Sequence, residues 1–136
     1  MRVIFWYMDS FAYHPAQKNL DSAADVRQGA TLKDSIVAFI HAEAQDEENA
    51  SKVETKLIKN IKWLAGKLDC KNIVLHSFAH LSESKSRAGF AEELFDRAQE
   101  RLESSGYNVS QTPFGYFLDI RVSAPGKSLA RVYKEF

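Results

Sequence analysis

Two stretches of helical periodicity, separated by short apolar runs, constrain the fold of this chain most. Between residues 51 and 68, apolar side chains recur at steps of three and four residues, which predicts an amphipathic helix. Ser51 and Glu54 have the spacing of a capping box at the start of this helix. The same periodicity predicts a second helix over residues 86–104, which Gly106 is placed to close. The fold must therefore combine two long helices with the structure of the remaining segments.

The segment before the first helix contains two apolar runs. Residues 2–8 are rich in β-branched and aromatic side chains, which predicts a strand buried on both faces that ends at Asp9. Residues 10–34 mix proline, glycine and polar residues with scattered apolar ones, so we expect a long irregular connection there. Residues 36–40 predict a second strand, which runs on towards His41.

The rest of the chain predicts further strands around the second helix. Residues 71–78 predict a strand that can lie parallel to the one before the first helix. Residues 107–112 predict a short strand, and the alternation over residues 116–123 predicts another. We expect residues 129–136 to complete a hairpin with it through a turn at residues 124–126. The predicted class is α/β, a mixed β-sheet with two long helices on one face and a homodimer covering the other.

Length and composition exclude several classes of protein. A chain of 136 residues suits a single domain spanning residues 1–136, and 45% apolar residues exclude a disordered chain. The 18 Lys and Arg are balanced by 18 Asp and Glu, so the chain has no overall positive charge with which to bind nucleic acid. The longest apolar run, residues 3–8, is far shorter than the roughly 20 residues of a membrane span. With its single cysteine, the chain is expected to be soluble and cytoplasmic, with no membrane partner.

Short motifs exclude several kinds of chemistry. The chain has no glycine-rich motif for a dinucleotide or a nucleotide phosphate, and no Gly-x-Ser-x-Gly esterase motif. His76 and His80 straddle the end of a predicted strand, which would separate them by roughly 13 Å, too far for two ligands of one metal. Cys70 lies at a predicted junction of helix and strand, where a packed core residue is favoured over a nucleophile. We therefore expect no metal and no cofactor.

Two segments at predicted strand ends are the candidates for a binding site. Residues 77–82 follow the third strand, and residues 112–117 precede the strand at 116–123. Strand ends in α/β folds are places where polar side chains and free backbone groups converge on a ligand. Considered alone, His80 is more often a satisfied structural histidine, and Phe114 and Tyr116 are more often core residues.

Taken together, these segments resemble the amino-terminal editing domain of archaeal threonyl-tRNA synthetases. The resemblance extends over nearly the whole chain and depends most on Phe78-Ala-His-Leu-Ser82 and Pro113-Phe-Gly-Tyr116. It implies a sandwich fold like that of D-aminoacyl-tRNA deacylases. The flanking matches are Met1-Arg-Val3, Asp9, Val37-Ala-Phe-Ile40, Asp46-Glu-x-Asn49, Gly126 and Leu129-Ala130.

The resemblance implies hydrolysis of serine wrongly attached to threonine tRNA, assisted by a ribose hydroxyl of the RNA. It implies a catalytic role for His80, which would hold the substrate or the water, and for Tyr116. Backbone groups of the two segments would read the seryl group, and Ala42 and Phe117 would line the adenosine side. The implied partners are the aminoacylated 3′ end of the tRNA and a threonyl-tRNA synthetase catalytic body. The substrate-binding positions that it implies are Ala42, Ala79, Phe114, Gly115 and Phe117.

Two departures from the family pattern keep three functions open. Leu118 stands where the family has a lysine, and Arg131 where it has an acidic residue, although Arg131 could restore the missing positive charge. The three functions are an editing enzyme, a weakened relative that binds an aminoacyl-adenosine end without efficient hydrolysis, and an interaction domain. Loss of one electrostatic donor lowers catalysis by about 10²- to 10³-fold, which RNA-assisted catalysis can partly offset.

Overall fold

Six strands form one mixed sheet that carries two α-helices in the computed structural model, which describes residues 1–136. This architecture confirms the predicted fold class. A short 3₁₀ helix, Ala44–Asn49, connects the first two strands to the first helix. The strands are β1 (Arg2–Lys18), β2 (Ala30–His41), β3 (Asn72–Ser77), β4 (Asn108–Gln111), β5 (Tyr116–Ser123) and β6 (Arg131–Glu135), and the helices are α1 (Ala50–Leu68) and α2 (Ala88–Ser104).

The order of the strands brings the ends of three of them to one edge. The sheet runs β4, β3, β2, β1, β5, and β6 also pairs with β1. β2 and β4 both lie parallel to β3, as predicted for β2, whereas β1 is antiparallel to each of its neighbours. Parallel strands present their carboxyl ends at the same edge, so the chain leaves β2, β3 and β4 close together.

The helices pack on one face of the sheet, as predicted. Alternate residues of the central strands, including Phe5, Ala38 and Leu75, share a single buried cluster with the apolar stripes of α1 and α2. Cys70 belongs to this cluster, in agreement with its expected core position. The opposite face carries a smaller buried cluster, so part of this face is buried without a second copy. Its buried members are Met8, Phe11, Val37, Phe39 and Val74.

The prediction for residues 10–34 was wrong, because most of them belong to two long strands. β1 continues past Asp9 to Lys18, and β2 begins at Ala30, so the irregular connection is confined to residues 19–29. β5 and β2 flank residues 10–13 of β1 on both sides and satisfy the backbone groups there. Pro15 is accommodated beside a register shift between Pro15 and Gln17, where the ladder is interrupted. Strand pairing with distant segments therefore outweighed the local signals.

The predicted hairpin between the last two strands was also wrong. β5 pairs with residues 10–18 of β1, whereas β6 pairs with residues 2–6 of the same strand. The two strands therefore follow one another along a single edge of β1, and the connection at residues 124–130 carries the chain from one half of β1 to the other.

The predicted capping box at the start of α1 does not form. Asn49 is the N-cap and makes no side-chain capping bond, because α1 continues directly from the 3₁₀ helix. Glu54 points to α2 instead, where its carboxylate accepts hydrogen bonds from Arg97 at 2.7 Å and Arg101 at 2.8 Å. Burial raises the pKa of Glu54, but these two guanidinium groups outweigh it and hold the pKa below its usual value. At the end of α2, Gly106 does adopt a positive φ of 90°, as its predicted role requires.

Candidate functional site

A cavity of about 550 Å³ lies at the edge where the parallel strands end. The loop after β3 forms one wall, and the turn between β4 and β5 forms the facing wall. Asn19 and Leu20 contribute from the connection between β1 and β2. Its volume is within the range of small-molecule and cofactor pockets, about 300–1,000 Å³.

All the residues that the sequence singled out as site residues border this one cavity. His80 and the Pro113–Gly115 bend, which lie far apart in the chain, face the same space, as the sequence argument requires. The side chain of Phe117 is 51% exposed at the opening, whereas Ala42 is buried at the end of β2. The seven positions that the cavity brings together are Ala42, Ala79, His80, Phe114, Gly115, Tyr116 and Phe117.

A buried histidine holds the loop after β3 in place. His41 is fully buried, its Nδ1 accepts a hydrogen bond from the Leu81 backbone N–H at 2.9 Å, and its Nε2 bonds the Ser84 carbonyl oxygen at 2.7 Å. The Phe78 backbone N–H also donates to the carbonyl oxygen of Ile40 at 2.9 Å. His41, at the end of β2, therefore fixes the wall that carries His80.

A second anchor of this wall is an acidic pair at the start of the 3₁₀ helix. Glu43 and Asp46 both accept hydrogen bonds from the Met1 ammonium, at 3.1 and 3.0 Å, and Glu43 also accepts one from the Ser82 hydroxyl at 2.9 Å. Burial raises the pKa of Glu43, but the Ser82 hydroxyl and the ammonium outweigh it and lower the pKa below its usual value. The loop therefore meets an ionised carboxylate.

The opposite wall is a turn that only glycine fits. Gly115 has a φ of 83°, and its carbonyl oxygen accepts a hydrogen bond from the Asn19 backbone N–H at 2.8 Å. The Tyr116 hydroxyl donates to the Ala24 carbonyl oxygen at 2.7 Å and accepts from the Val26 N–H at 2.9 Å. Because both contacts occupy this hydroxyl, Tyr116 offers a ligand its ring and backbone rather than its oxygen.

Unpaired hydrogen-bonding groups occur in both walls. The imidazole of His80 is exposed, packs edge-on against Phe78 at 4.9 Å between ring centroids, and makes no hydrogen bond within the protein. The backbone N–H groups of Ala79, Phe114 and Gly115 also donate to no protein acceptor. Such donors, together with a free imidazole, can bind a carbonyl oxygen, a water molecule or a hydroxyl group.

The charges at the cavity differ from what the sequence suggested. Leu118 borders the cavity at the position of the family lysine, but Arg131 does not border it. Arg131 instead lies over the Trp6 ring and donates to the Pro125 carbonyl oxygen at 3.2 Å, so it does not replace the missing cation. Lys85, which the sequence argument missed, borders the cavity and forms no ion pair, and no carboxylate lies in the wall. Its position just after the Phe78–Ser82 motif was the available signal.

Two further residues, His76 and Thr112, lie in the cavity wall. Thr112 begins the candidate segment 112–117, but neither residue was named as a site residue. The Phe78 ring packs against both imidazoles, at 6.1 Å from His76 and 4.9 Å from His80 between ring centroids. The chain contains no group of three or more His, Cys, Asp or Glu side chains arranged to hold a metal ion. Neither helix is long and apolar enough to cross a membrane.

Comparison with known proteins identifies one family over the whole chain. A model of the archaea-specific editing domain of threonyl-tRNA synthetase matches residues 1–136. The chain is 33% identical over 135 residues to the threonine–tRNA ligase of Pyrococcus furiosus and 30% identical to that of Pyrococcus horikoshii. Each alignment covers 97% of this chain and 22% of the ligase, so the chain spans about a fifth of the length of these relatives.

The fold also matches a solved structure. The chain superimposes on the c-Myc DNA unwinding element binding protein with a TM-score of 0.71, covering 100% of this chain and 99% of that one at 10% sequence identity. That protein has the D-aminoacyl-tRNA deacylase fold, so the comparison confirms the predicted fold.

Proposed function

The chain belongs to the archaea-specific editing domain family of threonyl-tRNA synthetase, and from this membership we propose that it hydrolyses L-seryl-tRNA(Thr). Membership of the family supports aminoacyl-tRNA editing in general. The observation that carries the more specific proposal is the cavity in which His80 and the unpaired N–H groups of Ala79, Phe114 and Gly115 border one space.

The reaction is hydrolysis of the ester that joins the amino acid to the terminal ribose. The oxygen of a water molecule attacks the carbonyl carbon, the bond from that carbon to the ribose oxygen breaks, and the ribose oxygen takes up a proton. The neighbouring ribose hydroxyl assists the attack. In this proposal His80 holds the water or the substrate, and the unpaired backbone N–H groups stabilise the oxyanion. Tyr116 contributes by fixing the turn through its hydroxyl, while Ala42 and Phe117 line the adenosine side.

The charge at the cavity suits an RNA end. The wall contains Lys85 and no carboxylate, so the phosphates that precede the terminal adenosine meet an unpaired ammonium and no opposing negative charge. In this proposal Lys85 supplies a local positive charge to a chain whose 18 basic and 18 acidic residues give it no overall positive charge.

The test is the release of serine from seryl-tRNA(Thr) by the purified protein. His80→Ala should lower the rate, whereas His14→Ala, which alters an exposed histidine outside this cavity, should not. The proposed function fails if the wild-type protein releases no serine above background while a related domain that carries the family lysine does so in the same assay.

A second candidate is a binding module with a preserved cavity and weak hydrolysis. Leu118 favours it, since an apolar side chain stands in the wall where the family has a cation and Arg131 lies elsewhere. The substitution Leu118→Lys discriminates the two functions, because restored cleavage indicates an editing site that lost one donor. Calorimetry with a non-hydrolysable seryl-adenosine analogue tests the binding function, which requires measurable binding.

The relatives suggest the partners. Since the chain covers 22% of the length of related ligases, we propose that it works with a threonyl-tRNA synthetase catalytic body in the cytoplasm, on the aminoacylated 3′ end of tRNA(Thr). We also propose a homodimer, because Ile120 and Val122 on β5 and Tyr133 on β6 remain exposed. Sedimentation showing only monomer at micromolar concentration would contradict the homodimer.

A further inference from the structure

The inner part of the cavity contains a buried polar pair that the proposed reaction does not use. His76 is 8% exposed and Thr112 is 6% exposed, at the ends of β3 and β4. The imidazole lies edge-on to Phe39 at 4.8 Å between ring centroids and packs beside Phe78 at 6.1 Å. Apart from Thr112, its described side-chain neighbours are therefore aromatic and apolar.

Only one nitrogen of His76 is used within the protein. Nδ1 bonds Thr112 Oγ1 at 2.9 Å, which fixes the plane of the ring. Nε2 has no hydrogen-bond partner within the protein. It is nevertheless not fully enclosed, since the enclosed side-chain nitrogens without a partner are Arg2 Nε and Trp6 Nε1. Because His76 borders the cavity, Nε2 is the atom of this pair that a ligand can reach.

The surroundings select an uncharged ligand group. Burial lowers the pKa of His76 to about 4, so the imidazole is neutral near pH 7 and offers a single donor or acceptor. No carboxylate borders the cavity, and the adjoining Phe39 and Phe78 rings would desolvate an ion without compensating it. A hydroxyl group meets both conditions, since it is neutral and both donates and accepts.

We propose that His76, held by Thr112, hydrogen-bonds the side-chain hydroxyl of the seryl group and so favours serine over an amino acid without a hydroxyl. This inference rests on the proposed function. His80 is exposed and His76 is buried, and both border the same cavity, so an ester whose carbonyl group lies beside His80 can place its side chain towards the inner pair. The charged α-ammonium stays on the open side of the cavity. His76 is a positioning residue for the substrate and takes no part in bond breaking.

The experiment compares seryl and alanyl esters of the same tRNA. Thr112→Val keeps the shape of the side chain and His76→Phe keeps an aromatic ring, and both remove the polar group. Each should lower kcat/KM for the seryl ester about tenfold while changing that for the alanyl ester little. Thr112→Ser is the matched comparison that retains the hydroxyl. His76→Gln, whose amide nitrogen can occupy the place of Nε2, should recover part of the preference that His76→Phe loses.

Two further measurements separate the possible failures. Circular dichroism and thermal unfolding of each variant establish that it folds, and calorimetry with non-hydrolysable seryl and alanyl analogues measures the same preference without hydrolysis. If the wild-type protein hydrolyses neither ester, the proposed function fails, while the ratio of the two binding constants still tests His76. An unchanged ratio in His76→Phe, or an equal loss for both ligands, overturns the inference, because the imidazole then reads no side-chain hydroxyl.

Discussion

Substitution of Gly115 by alanine should destabilise the protein through two separable effects. A φ of 83° is unfavourable for any residue with a Cβ, by roughly 1–2 kcal/mol. The added Cβ would also lie 2.8 Å from Ala23 Cβ and 3.2 Å from Leu20 Cβ, a crowding that typically adds about 1–3 kcal/mol. We expect a loss of about 2–5 kcal/mol in the free energy of unfolding.

Two other glycines provide matched controls for this prediction. Gly106 has a φ of 90° but no atom within 4 Å of an added Cβ, so Gly106→Ala should show the conformational effect alone. Gly126 has neither a positive φ nor a close neighbour, so Gly126→Ala should be neutral or stabilising by up to about 1 kcal/mol.

Urea unfolding of the three variants, followed by circular dichroism, measures these differences. If Gly115→Ala loses no more stability than Gly106→Ala, the contacts with Leu20 and Ala23 are not the constraint that the structure indicates. Because the same turn carries the unpaired N–H groups of the cavity, Gly115→Ala should also lower ligand binding under conditions where the variant is fully folded.

Three further predictions concern charge. Lys85→Ala should weaken binding of aminoacyl-tRNA and reduce the slope of log affinity against log salt concentration by about 0.7. Titrations at several salt concentrations measure this slope, and an unchanged slope would show that Lys85 contacts no phosphate. Glu54→Gln should lower the free energy of unfolding by about 1 kcal/mol, since it weakens the hydrogen bonds to two half-exposed guanidinium groups of α2. If denaturant unfolding shows no loss of stability, Glu54 has no role in joining the helices. The pKa of His76 falls from 6.5 to about 4 on folding, so as the pH is lowered the unfolded chain binds a proton at His76 before the folded chain does. The free energy of unfolding should therefore decrease between about pH 6.5 and pH 4, by on the order of 3 kcal/mol. His76→Phe should remove that part of the pH dependence of unfolding, most clearly between about pH 6.5 and pH 5, above the range where most carboxylates titrate. An identical pH profile in the variant would refute the assignment.

Periodicity predicted the elements whose stability depends on nearby residues. The stripes of α1 and α2, the apolar β3 and the alternating β5 each appear within about two residues of their predicted bounds. These segments bury a face that their own sequence defines, so a short window contains the signal.

The sequence argument selected its candidate site residues through two short motifs and not through local physical signals. His80 and the Pro113–Gly115 bend were placed together by resemblance to a family, and in the structure they border one cavity. Lys85 and His76 escaped this reasoning, because a lysine in a polar loop and a histidine in an apolar strand look ordinary until their neighbours are known.

The sequence by itself determined two helices, most of the strands and the family, because each depends on residues that are close in the chain or on a recognisable motif. Only the tertiary structure decided that β1 extends to Lys18, that β5 and β6 share one of its edges, and that Arg131 lies away from the cavity. It also decided that Nε2 of His76 is open to a ligand. These outcomes depend on which distant backbone and side-chain groups satisfy one another, and no local window of sequence contains that information.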